Sequence, residues 1–577
     1  DGKHFRIYFD ISDDVHGRNF ELLIDGDVIT NDVSYPFELS AIAPRIAPGV
    51  DSVTVQVRAT DTGGNFVMSD PLELQLTPDV TPPSILVSNP PDGGIRGRNY
   101  RTVRVLFSEE IDESSLVAEN FVILGPEIPP TDIVQTPIDN QFQPIDVQIR
   151  RFGREVQFTY AQLAPGEYEL RINAPEIKDR AGNILGATNV TSSFTVVDAD
   201  IVWINELGGV WDDPNNWDTG ELPGTDDVVY IPTDVEVTYR SGTTSIKRLV
   251  VDGQLNLDGG TIKNAHIDSQ VGGVRVYVTD DSTLDGVTLN ADAFMDSDQS
   301  NSQYLTVLNG LTLNGTLTMQ RVHSHDRENV LRFVGTQALQ GDGEIVFVDP
   351  GQHYTNERYN TIQSTGAGTL TIGEGVTIRG QDGIVGSNSL QLINRGTIDS
   401  DSGQRIQVRG VTVENEGTFQ ADGGTLDVNN LTGNLGDAIA TNGGTLDVDG
   451  NYTNDRDHNI TNGSTFILRG NWNNDGIRNF DVTDGSRLAL VDRWTNTGTI
   501  NVINSTFDWY GIGTGDTVGT GVNDGVLNVT DSTVNLNSTV SLDDLGTFNR
   551  SGNSTVNING TYENAGTTLD LDAATTW

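Results

Sequence analysis

Gly424-Thr-Leu-Asp-Val428 recurs unchanged as Gly444-Thr-Leu-Asp-Val448. Looser copies follow: Ser464-Thr-Phe-Ile-Leu468, Ser486-Arg-Leu-Ala-Leu490, Ser505-Thr-Phe-Asp-Trp509, Ser532-Thr-Val-Asn-Leu536 and Ser554-Thr-Val-Asn-Ile558. They are phased by Thr425, Thr445, Thr465, Arg487, Thr506, Thr533 and Thr555, at steps of 19 to 27 residues. Within each copy apolar and polar residues alternate, the period of a strand. A repeat of ~20 residues built on short strands is one coil of a parallel β-helix. Each strand then pairs with its equivalent one coil along, ~4.8 Å away. Leu426, Val428, Leu446 and Val448 point inward, and Asp427 and Asp447 point out. Leucine-rich repeats share the period, but their Leu consensus and helical return are missing. An antiparallel barrel would not repeat motifs this closely.

Two further pieces keep the same period. One is Asn-x-Gly, at Asn394-Arg-Gly396, Asn415-Glu-Gly417, Asn474-Asp-Gly476, Asn496-Thr-Gly498, Asn523-Asp-Gly525 and Asn564-Ala-Gly566. It reads as a turn that offers a left-handed backbone position at low cost. The other carries an aromatic, at Tyr452, Trp472, Trp494 and Tyr562. From Leu249 to Trp577 the repeat allows about 15 coils of ~21 residues, a rod on the order of 70 Å long. The long step between Thr506 and Thr533 places a loop near Gly511-Ile-Gly-Thr-Gly-Asp516. The interruption at 320–365 is the best place for a binding surface.

Upstream the pattern changes. Residues 1–79 alternate with period two in Phe5-Arg-Ile-Tyr-Phe9 and Val53-Thr-Val-Gln-Val57, and a hairpin signal stands at Asp25-Gly26. Thr81-Pro82-Pro83 is a stiff linker opening a second all-β stretch over 80–198. Asp13, Asp14, Asp25, Gly26 and the run Ala59-Thr-Asp61-Thr-Gly-Gly-Asn65 resemble bacterial Ig-like domains. Val103-Arg-Val-Leu-Phe-Ser-Glu-Glu-Ile-Asp112, Ala164-Pro-Gly-Glu-Tyr168 and Asp179-Arg-Ala-Gly-Asn183 are similar to the Ig-like domain of S-layer and other bacterial exoproteins. That resemblance implies two β-sandwiches acting as spacers or presenting modules, not catalysts.

Trp203, Trp211 and Trp217 fall within 15 residues of one another. They could form a carbohydrate platform. The stronger reading is a plug for the open end of the solenoid, whose first coil would otherwise expose its apolar core. The stretch 199–248 resembles the Trp-Gly-Trp-Asn-Trp entrance of long β-helical exoproteins. The expected fold is therefore all-β: two Ig-like sandwiches (1–79, 80–198), a Trp-rich cap (199–248) and a right-handed parallel β-helix (249–577).

The net charge is −47, with 81 acids against 34 bases. Such a surface repels nucleic acid and anionic membranes and attracts divalent cations. Cys is absent, so neither a disulfide nor a thiolate metal site can form. No run of ~20 apolar residues is present to cross a membrane. The chain starts at Asp1 and ends within repeat-like sequence at Trp577, and so reads as a fragment of something larger.

Candidate chemistry is sparse. Asp427 and Asp447 should stack on adjacent coils, and close carboxylates can do acid–base work or hold calcium. The ladder stops at Ile467 and shows no obvious Arg, Lys or His companion, so a solvated face is the better reading. His323-Ser-His325-Asp326 has the spacing of a transition-metal pair on one strand face, against an ordinary polar surface. Asp10, Asp13 and Asp61 are oxygen ligands near predicted turns, and the Ig-like resemblance permits calcium there. Calcium is the one cofactor expected. No phosphate loop, nucleophile motif or EF-hand stands out.

The expected role is a structural or adhesive extracellular protein, a segment of a bacterial surface fibre, sheath, surface layer or adhesin. Its expected partners are copies of itself or other surface proteins, with glycans as a further candidate. Head-to-tail stacking through open strand edges belongs to that expectation. The runner-up is a β-helical polysaccharide lyase or hydrolase. A glycan-binding protein without activity is the third reading, with Tyr354 and Tyr359 as candidate contacts.

Overall fold

In the strand Ser52–Asp61, Val53, Val55 and Val57 are buried while their neighbours are not. Period-two burial of this kind recurs along the chain in the computed structural model. The structure describes the chain except for residues 1, 8, 10–16, 34–38, 47–48, 50, 126–140, 298–301, 322–327, 349–359, 511–520 and 564–577. The described chain divides into two compact units, residues 1–204 and 205–577.

The first unit holds two β-sandwiches. In the first, Gly17–Ile24 pairs antiparallel with Asp27–Asp32 and Ser52–Asp61. The hairpin turns through Asp25 (φ 50°) and Gly26 (φ 90°), the left-handed pair that Asp-Gly supplies cheaply. Its core is Phe20, Leu22, Leu39, Val53 and Val55. In the second, one sheet is Asp146–Arg150, Glu155–Thr159, Thr102–Phe107 and Ile85–Asn89 in spatial order. The facing sheet runs Gln141–Phe142, Phe121–Leu124, Gly166–Ile172, Val190–Val197 and Gly94–Gly97. Phe121 and Phe158 meet between the sheets at 3.9 Å between ring centroids.

The second unit is the solenoid. One parallel ladder of 16 strands takes one strand from each coil, from Gly209–Val210 to Thr547–Ser551. A second ladder takes two strands from each coil, in places fused into one, as in Thr425–Asn434. The phase residues lie in register: Thr425 opposite Thr445, then Thr465, Arg487, Thr506, Thr533 and Thr555. Beside them Leu426, Leu446, Phe466, Leu488, Phe507, Val534 and Val556 form one continuous buried column.

Two expected boundaries move. The coils begin before 249: Val228–Ile231 pairs in parallel with Arg248–Val251, and Glu236–Tyr239 with Gln254–Leu257. About 14 turns run from 228 to 563, rather than 15 from 249. The early coils keep the in–out alternation but lack the Gly-Thr-Leu wording, so the repeat alone does not reveal them. Residues 199–204, expected in the cap, fall in the first unit.

The five described Asn-x-Gly pieces are not left-handed turns, and Asn564-Ala-Gly566 lies outside the described residues. Positive φ belongs instead to Asn442, Asn462, Asp484, Asn504 and Asp531, just before the phase strands. Asn394, Asn415, Asn474, Asn496 and Asn523 are buried, and their amides run as ladders inside the coils. Asn394 Nδ2 donates to Asn415 Oδ1 at 2.9 Å, and Asn415 to the Leu435 carbonyl at 2.8 Å. A second ladder passes from Asn454 to Asn474, Asn496 and Asn523 and ends on the Leu545 carbonyl. Glycine is needed two residues on at Gly396, Gly417, Gly498 and Gly525, where the chains crowd, but not at Gly476, where a Cβ would fit. A Cβ on Gly417 would overlap the carbonyl oxygen of Gly396, and one on Gly525 that of Gly498.

Candidate functional sites

In the first unit, a short motif places the acids. Asp61 accepts from Asn65 N (2.8 Å) and Asn65 Nδ2 (2.9 Å). Asp179 accepts likewise from Asn183 N (2.8 Å), Asn183 Nδ2 (2.8 Å) and Gly182 N (2.6 Å). Both follow Asp-x-x-Gly-Asn, a turn in which the carboxylate satisfies backbone N–H groups. The hydrogen bonds from Asn65 hold the Asp61 carboxyl below its usual range. Asp10 and Asp13, its expected calcium partners, lie outside the described residues.

The structure gathers a different trio. Asp79, Glu109 and Asp179 each offer an oxygen, all within 4.8 Å of one another. Asp79 lies just before the linker, Glu109 follows the strand Thr102–Phe107, and Asp179 belongs to the turn above. They border a cavity of about 280 Å³ together with Lys3, Arg154 and Arg180. Lys3 Nζ stands 3.5 Å from Asp79 Oδ2. The Thr81 N–H holds the Asp79 carboxyl below its usual range. Burial, with Asp79 and Asp179 beside it, pushes Glu109 upward. Oxygen donors at this spacing suit a hard cation such as calcium. Sequence reasoning missed the trio because its members are 30 and 70 residues apart, and only the fold joins them.

One prediction follows from the direction at Glu109. An acid whose folded pKa is raised favours its protonated form in the fold, so its ionisation weakens the fold as pH rises past that value. Glu109→Gln should therefore raise the melting temperature of the first unit at neutral pH, read by calorimetry on the full chain. Millimolar calcium should raise it in the parent and do so less in the variant.

At the solenoid entrance, Trp211 and Trp217 pack edge to face at 4.8 Å, and Trp211 meets Tyr239 of the early coils at 5.6 Å. Trp217 Nε1 donates to the Trp211 carbonyl at 2.9 Å. Both rings are buried (3% and 1% exposed), which excludes the carbohydrate platform. Trp203 is equally buried but belongs to the first unit.

Along the coils, Asp427 and Asp447 do stack in register. The expectation that they lack basic companions is overturned. Arg405 pairs with Asp427, and Arg469 Nε lies 2.7 Å from Asp447 Oδ1. Each arginine sits one coil away and two positions along, a diagonal contact that a search of directly opposite positions does not find. On the other ladder, Arg379 reaches Glu344 (2.8 Å) and Asp401 (3.2 Å). Next to it burial pushes Asp399 up to about 6, with Asp401 and Asp422 adding to the rise. A groove of about 530 Å³ crosses four coils at Thr288, Asn309, Thr312, Gln337 and Thr371, with hydroxyl and amide groups in its lining. His323, His325, Asp326, Tyr354, Tyr359 and the 511–516 loop lie outside the described residues.

The facing sheets of the second sandwich and the Asp-x-x-Gly-Asn turn at its end settle its kind. Residues 79–196 match the bacterial Ig-like domain family. The matched stretch of this bacterial Ig-like domain includes Asp79, Glu109 and Asp179. No curated protein matches the chain significantly. Among solved structures, domains 1–6 of the surface-layer protein SbsC are similar to 24% of this chain at 15% identity and TM-score 0.15. Fibronectin(III)-like modules of Clostridium thermocellum CbhA are similar over 34% at 11% identity and TM-score 0.12. Bacteroides ovatus SGBP-B, solved with a mixed-linkage heptasaccharide, is similar over 37% at 16% identity and TM-score 0.14. The match covers 17% of the SbsC chain, 86% of the CbhA chain and 46% of the SGBP-B chain. Scores this low carry no argument about role. Among the described residues, no helix is long and apolar enough to cross a membrane.

Proposed function

We propose that this chain is an extracellular structural segment of a bacterial surface protein, in which Ig-like domains act as spacers and the solenoid presents its faces to partners. The observation that carries this reading is a bacterial Ig-like domain followed by coils whose stacked outward acids are tied up by arginines. Paired carboxylates of this kind brace neighbouring coils and are poor candidates for acid–base work. In this reading the partners are copies of the chain or other surface proteins, and calcium binds at Asp79, Glu109 and Asp179. The test is antibody labelling of intact producing cells with serum raised against the folded solenoid. Labelling without permeabilisation supports the proposal; labelling only after permeabilisation overturns it.

Glycan binding without cleavage is the second reading, and the neutral groove at Thr288 to Thr371 favours it. A glycan array signal lost on changing Gln337 to Ala supports that reading. Cleavage would rest on Asp399, the described solenoid acid pushed up to about 6. Oligosaccharide release from a polysaccharide panel, abolished in Asp399→Asn, would replace the structural proposal with an enzymatic one.

A further inference from the structure

Residues 455–458 read Asp-Arg-Asp-His, and each one holds a neighbouring coil. Asp455 Oδ1 accepts from Gly436 N at 3.1 Å. Arg456 Nη1 lies 3.2 Å from Asp437 Oδ1. Asp457 Oδ1 accepts from Asn479 N at 2.9 Å. His458, 3% exposed, lies among apolar rings, 5.7 Å from the Phe466 centroid and 5.5 Å from that of Phe480.

The ring of His458 faces two acceptors. Nδ1 is 2.9 Å from the Ala438 carbonyl and Nε2 is 2.8 Å from Asn454 Oδ1. Asn454 cannot turn its amide round, because its Nδ2 donates to Asn474 Oδ1 at the head of the buried ladder. Backbone carbonyls of Arg478, Gly498 and Leu545 hold every later amide in the same direction. A neutral imidazole has one N–H and can serve only one of these acceptors. The imidazolium would serve both, at the cost of a charge in an apolar coil. Burial holds the His458 pKa below its ordinary value, against the pull of Asp455, Asp437 and Asp457. Phe466 and Phe480, on the strands packed over it, bring no charge.

We propose that this four-residue clasp is an acid-operated release: protonation of His458 places a charge among the rings, and the coils spanning 436–482 open before the rest of the solenoid. A base that binds its proton less readily in the fold than in water contributes stability that is lost as pH falls. Any state that exposes His458 is therefore favoured by acid. The arginine-braced coils at 405–427 carry no buried histidine and lack this response.

Hydrogen exchange on the full chain, corrected for its intrinsic pH dependence, tests the release. Opening of 436–482 should grow by up to about tenfold per pH unit below the ordinary histidine range, while 526–558, which holds no histidine, stays unchanged. His458→Gln keeps a donor but cannot titrate, and should flatten the response. Should that variant fail to fold, the ring ¹⁵N shifts of the parent give the same reading. His458 should hold one neutral tautomer at neutral pH and gain its proton together with local exchange. A uniform response along the solenoid, an unchanged response in His458→Gln, or titration of His458 without local opening would overturn the proposal.

Discussion

Trp494→Ala costs the solenoid about 3–5 kcal/mol, the range for emptying an aromatic site in a packed core. Trp494 is 2% exposed. It stacks on Trp472 at 6.1 Å and 17° and meets Trp509 edge to face at 4.4 Å. Trp472 in turn stacks on Tyr452 at 6.3 Å and 7°. The column therefore links four consecutive coils, and a gap at Trp494 removes contact on both sides. In a solenoid, stability is close to a sum over neighbouring coils, so the loss should split unfolding into separate transitions on either side of the gap. Trp494→Phe should cost much less, under about 1.5 kcal/mol. The indole Nε1 of Trp494 finds no acceptor among the described residues, so phenylalanine forfeits no hydrogen bond. Denaturant unfolding followed by tryptophan emission measures both variants.

Asn496→Ala is the second large effect, at about 3 kcal/mol, because it leaves buried partners on both neighbouring coils unmatched. Asn474 Nδ2 loses its acceptor at 2.6 Å, and Asn523 Oδ1 loses its donor at 2.6 Å. The Gly498 N–H, 3.2 Å from Asn496 Oδ1, is left unmet as well. An outer ladder provides the control. Asn501 donates to Asp481 at 2.6 Å, Asn528 to Asn501 and Asn549 to Asn528 at 2.8 Å. Its amides sit at the surface and can turn to water, so Asn528→Ala should cost under about 0.5 kcal/mol. Equal costs for the two variants would mean that the inner ladder is not dry.

The contrast between those ladders marks how far the sequence could be read. The phase from Thr425 to Thr555 was legible because one short strand recurs with its in–out alternation intact. Asn-x-Gly was misread because two structures ask for the same residues. A left-handed turn wants Asn and Gly for their backbone freedom, whereas an inner ladder wants the Asn amide and a Gly where coils nearly touch. Only burial separates them: Asn496 is wholly buried, whereas Asn462, at φ 56°, stands in an outer turn. Arg405 and Arg469 escaped notice because a diagonal partner is offset by two positions as well as one coil. The grouping of Asp79, Glu109 and Asp179 depends on how one sandwich folds back to its own linker, and no local pattern encodes it.

Every functional reading above depends on coils that stack residue upon residue. The chain contains no cysteine, so spin labels can be placed one pair at a time without background. Thr445→Cys with Thr465→Cys puts labels on phase residues that lie directly opposite one another, ~4.8 Å apart along the ladder. Continuous-wave electron paramagnetic resonance of the doubly labelled full chain should show strong dipolar and exchange broadening, repeated for Thr425→Cys with Thr445→Cys. Sharp lines indistinguishable from the single labels would place these residues far apart and contradict the solenoid.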